Sequence, residues 1–100
     1  MKMYRQGDVL IMEAKRDMRR VQVQRAADNV LVYGEATGHA HRVEGDGATI
    51  MDTPEGKVID AAKAFKVVHE EHDTIEIPEG YYRVVRQREY DEEQIRYVAD

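Results

Sequence analysis

The chain contains no cysteine and no serine. Disulfide cross-links, thiolate zinc sites, and cysteine or serine nucleophiles are therefore excluded together. It has one phenylalanine and no run approaching the roughly 18 apolar residues of a membrane span. The opening stretch MKMYRQGDVLIMEAKRDMRR carries Asp8 and Glu13 inside its only apolar segment, which is not the layout of a signal peptide. A cytoplasmic protein with no membrane partner is the expectation. Nor is there a surplus of basic charge: the formal net charge is -5, which argues against sequence-independent binding to a phosphate backbone.

What is present fits one domain. One hundred residues, 42% of them hydrophobic, are enough for a single core and too few for two. Residues 1–100 are therefore expected to form a single domain. A small domain without covalent staples must close its core well or share it with a partner chain. β-Type residues recur in short segments bounded by turn signals. Val9–Met12 follows Gly7-Asp8 and reads as a first strand. Val21–Gln24 alternates, although residues 16–27 also fit one or two helical turns. Val30–Tyr33 is an unbroken apolar run, the mark of a strand covered on both faces. His39–Glu44 and Ala48–Met51 flank Gly45-Asp46-Gly47, which predicts a hairpin. Thr53-Pro54-Glu55-Gly56 has the composition of a β-turn. Lys57–Ile59 reads as a weak strand, with residues 60–63 either a helical turn or an irregular continuation. Ala64–His69, Thr74–Ile77, Tyr81–Tyr90 and Gln94–Val98 complete the set. The expected fold is all-β, a small antiparallel barrel or sandwich, a jelly roll among its forms, with at most one short helix.

The four histidines carry the chemistry, and they fall in two pairs, His39 with His41 and His69 with His72. In a strand, residues two apart project from one face. His39 and His41 therefore share a face with Val43, and His69 shares one with Phe65 and Val67, the natural core anchors. Neutral imidazoles converging on an interior are a ligand set for a divalent transition metal such as Zn, Ni, Mn or Fe. His69 and His72, three apart, need a bulge or turn between them to face the same way. Strand phase groups Glu71 and Asp73 with His69, so Glu71 is a candidate fourth ligand or general base, or a partner holding a ligating imidazole by its second nitrogen. Glu35, in the glycine-bounded loop Gly34–Gly38, is a second candidate base. That loop lacks the lysine of a phosphate-cradling loop. If the protein is an enzyme, metal-activated water makes hydrolysis the first class to try.

Two other functions compete with this one. In a non-catalytic interaction module, the same histidines hydrogen-bond inside a polar interior and β-edges or the tyrosine-rich strand mediate self-association or a protein partner. In a nucleic-acid binder, Arg83, Arg86, Arg88, Gln87 and Tyr90 form the contact strip. The acidic Glu89 and Asp91-Glu92-Glu93 that follow pair naturally with those arginines on an exposed face.

The segments GEATGHAHRVEG and VVHEEHDTIEIPEGYYRVVRQREYD resemble a family of short uncharacterised bacterial and phage proteins, a likeness that implies a globular unit and points to no particular activity. His39-Ala40-His41 also resembles the first histidine motif of cupins, and Pro78-Glu79-Gly80 the proline-glycine turn of their second. That second resemblance implies a metal site inside a β-barrel and carries over only to His39 and His41. Glu44 lies closer to the histidines than the cupin glutamate, and Arg83 stands where the last motif has a histidine.

Overall fold

A computed structural model describes residues 2–16, 24–34 and 38–87. Every regular element among them is a strand apart from a single residue of 3-10 conformation at Gln87. In chain order these are β1 (Met3–Gln6), β2 (Val9–Glu13), β3 (Gln24–Arg25), β4 (Val30–Tyr33), β5 (Ala40–Glu44), β6 (Ala48–Thr53), β7 (Gly56–Ala61), β8 (Phe65–Val68), β9 (Ile75–Ile77) and β10 (Gly80–Arg86). They form a six-stranded sheet in the order β1-β2-β10-β7-β6-β3 and a four-stranded sheet in the order β4-β5-β8-β9. All pairings are antiparallel. The all-β expectation holds.

One core joins the sheets. Val9, Ile11, Ile50, Ile59 and Tyr82 come from the larger sheet, and Leu31, Val43, Phe65, Val67 and Ile77 from the smaller. Side chains of this size each contribute about 1.5–3 kcal/mol on full burial. Phe65 packs edge-on against the Tyr82 ring at 5.9 Å between centroids, and the Tyr82 hydroxyl donates to the Pro78 carbonyl at 2.8 Å. The anchoring of Phe65 and Val67 fixes the inward face of β8 and so the direction in which the chain leaves toward His69.

The hairpin expected around Gly45-Asp46-Gly47 does not form. β5 pairs with β4 and β8, β6 pairs with β7 and β3, and the three residues carry the chain from one sheet to the other. The glycines serve close approach rather than a tight turn. A Cβ on Gly45 would stand 3.1 Å from Cβ of Phe65, and one on Gly47 would stand 3.0 Å from the Lys63 backbone nitrogen. The return crossing at residues 62–64 runs alongside, tied by the Ala62 N–H to the Gly47 carbonyl at 2.8 Å. The true hairpin nearby is β6–β7, closed through Pro54-Glu55 with Thr53 opposite Gly56.

Two further differences and one alternative now decided matter. β1 precedes the strand expected to be first and pairs with β2, Gln6 opposite Val9, through Gly7-Asp8. Gly7 has φ +60, the value a type II′ hairpin turn needs at its first central position. The apolar run Val30–Tyr33 is covered at its start and open at its end. A bulge shifts the β4–β5 register between Val30 and Val32: Leu31 joins the core and Val32 packs against it, Val30 is buried opposite Arg42, and Tyr33 is exposed. Residues 60–63 continue β7 through Ala61 and then bend. Of the strand expected at 21–24, residues 21–23 lie outside the described residues, as does the one expected at 94–98.

Candidate metal centre

The site grows from the ends of β1, β5 and β8. Val43 and His41 both point into the molecule from β5, as strand phase requires, and His41 is only 5% exposed. Val67 does the same on β8, and the chain beyond Val68 turns back through residues 69–73 instead of extending. That turn resolves the odd spacing of His69 and His72. The His69 ring lies 4.4 Å from that of His41, 4.6 Å from His72 and 5.6 Å from His39, centroid to centroid, and His41 and His72 stack at 5.9 Å. Two imidazoles bound about 2.1 Å from a shared ion would have centroids about 5 Å apart. The four sequence-predicted histidine rings therefore lie together around His69, although the ligand atoms grouped within 4.8 Å of one another come from His39 and His69, not from His41 or His72.

His41 is the best-defined member. Its Nδ1 lies 2.8 Å from Oε1 of Gln6. Gln6, itself 3% exposed, donates through Nε2 to the carbonyls of Val67 at 2.8 Å and Asp73 at 2.9 Å. Two carbonyl acceptors require the NH2 group on that side, so Oε1 must face His41 and accept. Nδ1 of His41 consequently carries the proton and Nε2 keeps its lone pair. Burial, reinforced by neighbouring His69, pushes the His41 pKa down to about 4, so the ring is neutral at physiological pH. A metal-ligating histidine is normally held in this way, by an acceptor on its other nitrogen.

The remaining members ride on turns. His39 precedes the first residue of β5, just after Gly38 at φ +76. It therefore does not share a strand with His41, as the two-residue spacing had implied. Its Nδ1 stands 3.3 Å from Glu71 Oε1. His69 accepts at Nδ1 from the Glu71 N–H at 3.0 Å. His72 lies against the β1–β2 turn, where a Cβ on Gly7 would come within 2.6 Å of its Nε2. One set of ligand atoms, from His39, His69 and Glu70, lies mutually within 4.8 Å.

Glu70 rather than Glu71 belongs to this set, because residues 69–73 form a turn and strand phase does not continue into it. Its carboxylate accepts from the Ala40 N–H at 3.0 Å and from Arg42 at 2.6 Å. Its pKa falls to about 2, chiefly through the Arg42 hydrogen bond and then that of Ala40. Glu70 thus clamps the start of β5 to the histidine turn. Glu71 is exposed but lines the cleft, and Glu35 lies outside the described residues. Gln6, Asp8 and Arg86 were not singled out for this site. No local motif marks them, because their partners are 33 or more residues away in sequence. Around the rings lies an open cleft of 340 Å³, also lined by Asp8, Tyr33, Glu71 and Arg86. Arg83 is exposed on β10, whereas Arg86 turns into the cleft; Arg88 and Tyr90 lie outside the described residues.

A family model described as "Domain of unknown function (DUF8820)" matches residues 5–87. The chain belongs to this family. No curated protein and no solved structure matches it significantly. The DUF8820 span contains Gln6, all four histidines, Glu70 and Arg86, so the whole site lies within the family domain.

Proposed function

We propose that this DUF8820 domain binds one divalent transition metal ion in the histidine cleft, through His69 with His39, His41 and His72 around it and a carboxylate from the Glu70-Glu71 turn. The observation that carries the reading is the Gln6–His41 pair. A buried glutamine whose donors are both spent on backbone carbonyls fixes one imidazole tautomer and leaves a lone pair on Nε2, the nitrogen that stands 3.9 Å from the Asp8 carboxylate in the cleft. Mutual reach of His39, His69 and Glu70 supports it further. Ligation by His69 through Nε2 requires the Glu71 N–H to release Nδ1, a small change in an exposed turn. A bound ion would lower the pKa of its water toward neutrality, and Glu71, which lines the cleft 3.3 Å from His39 Nδ1, is the carboxylate proposed as base. Hydrolysis is the reaction class this favours, in the cytoplasm.

A second reading has an observation of its own. Glu70 is already satisfied by Arg42 and Ala40, and His69 by Glu71, so the cluster closes as a hydrogen-bonded network without an ion. On that reading the domain is an interaction module that associates through its edge strands. Metal titration of untagged protein, followed by calorimetry and thermal unfolding, separates the two. Stoichiometric binding with a raised Tm supports the metal centre. No uptake of zinc, nickel, manganese or iron leaves the interaction module.

A further inference from the structure

Arg86 is placed where no metal ligand is needed. It sits near the end of β10, paired opposite Val9, and its guanidinium reaches the cleft wall with the side chain 24% exposed. There it meets Asp8 Oδ2 at 3.7 Å, while Asp8 Oδ1 is 3.9 Å from His41 Nε2. Both separations exceed the 2.7–2.9 Å of a charge-assisted hydrogen bond. The Asp8 carboxylate, half exposed on the two-residue β1–β2 turn, thus stands between imidazole and guanidinium without a tight bond to either. That is the position an incoming anion would occupy.

Charge gives the order of events. Among the described residues lining the cleft, two carboxylates, Asp8 and Glu71, face one guanidinium, Arg86. Apart from the imidazoles, these described side chains carry one more negative than positive charge, a balance that favours a cation. A divalent ion adds two positive charges and reverses that balance, which then favours an anion. An Arg fork beside a metal matches the geometry of a phosphate or carboxylate, which can place one oxygen on the ion and another on the guanidinium. At 340 Å³ the cleft has room for a small molecule bearing such a group.

We propose that the metal-loaded cleft binds a small oxyanion-bearing ligand between the ion and Arg86, and that the ion must bind first. This rests on the metal-centre reading. The test uses the full chain without a tag, loaded with cobalt(II), whose visible absorption reports changes in coordination. Inorganic phosphate and acetate are titrated in separate arms, which distinguish a tetrahedral from a planar ligand. In the wild type at least one of them should change the spectrum saturably, and calorimetry should find no binding of either to metal-free protein. Arg86→Gln should weaken that anion at least tenfold while changing cobalt affinity less than threefold. Arg83→Gln, an exposed arginine on the same strand, should leave both unchanged. Asp8→Asn, which removes the competing carboxylate, should tighten the anion severalfold, so the proposal stays testable if Arg86→Gln fails to fold. Cobalt binding with neither anion responding, or with equal anion affinity in wild type, Arg86→Gln and Asp8→Asn, overturns the inference and leaves the metal centre standing. Failure to bind cobalt at all overturns both.

Discussion

His39 and His41 are two residues apart, yet the molecule holds them by different means. His41 is a core residue: strand-borne, buried, and fixed in one tautomer by a glutamine that also ties β1 to β8 and to the following turn. His39 lies just ahead of the strand and is partly exposed, and it meets the cluster through His69 and Glu71. His69 and His72 resemble His39, carried on the turn at residues 69–73. A site built in this way has one imidazole whose position is set by a strand in the core and three carried on turns and strand ends. Energies should divide accordingly: changes at the inner end are felt as stability, and changes at the outer end as affinity.

The sharpest way to break that division is Gln6→Ala. It removes a side chain serving two carbonyls and His41 Nδ1 in a buried setting, and each unsatisfied group costs about 1–3 kcal/mol. Urea unfolding of the metal-free protein should find a loss of about 3 kcal/mol or more. The same measurement on His39→Ala should find less than about 0.5 kcal/mol, as for an ordinary surface change. Comparable losses in the two variants would erase the distinction.

Acidity probes the inner end without mutation. The folded-state pKa of His41 is depressed to about 4 from the ordinary 6.5. The unfolded chain therefore takes up this proton first as pH falls. Stability contributed by the neutral ring is complete above about pH 6.5 and is lost between there and about pH 4, by up to roughly 3 kcal/mol. His41→Gln should flatten that interval of the stability profile. Glu70, lowered to about 2, acts in a separate window: its contribution is lost only as pH falls from about 4.5 toward 2.

A smaller effect is expected where the two ends touch. Gly7→Ala puts a side chain at φ +60 and within 2.6 Å of His72 Nε2. The backbone strain costs about 1–2 kcal/mol, and the displaced His72 ring should weaken metal binding in a titration while His41 stays in place. The smallest change in stability belongs to Glu71→Gln. It should leave the unfolding midpoint within about 0.5 kcal/mol of wild type, with its effect confined to metal affinity or turnover.

How much of this was legible in the sequence follows from how local each signal is. The inward phase of His41, Val43, Phe65 and Val67 could be read because strand alternation involves only neighbours along one chain segment. The convergence of GHAH with HEEH was also legible, since both segments border apolar-phased strands. β1 was not, because MYRQ is an edge strand whose one fully buried residue is polar. The Gly45–Gly47 segment was misread because a glycine-rich turn looks alike whether it closes a hairpin or crosses between sheets; only the partners of β5 and β6 decide. Glu70 lost to Glu71 because a period of two was carried past the end of β8 into a turn. Gln6 could not have been found, since nothing near it in sequence tells of an imidazole 35 residues away.

The account stands or falls on metal occupancy at the histidine cleft. Native mass spectrometry of untagged protein, titrated with zinc or nickel, should give one ion per chain in the wild type and a large loss of occupancy in His69→Ala, the ring at the centre of the cluster. A wild-type protein that remains metal-free at excess ion, or a His69→Ala variant that binds as well as wild type, contradicts it.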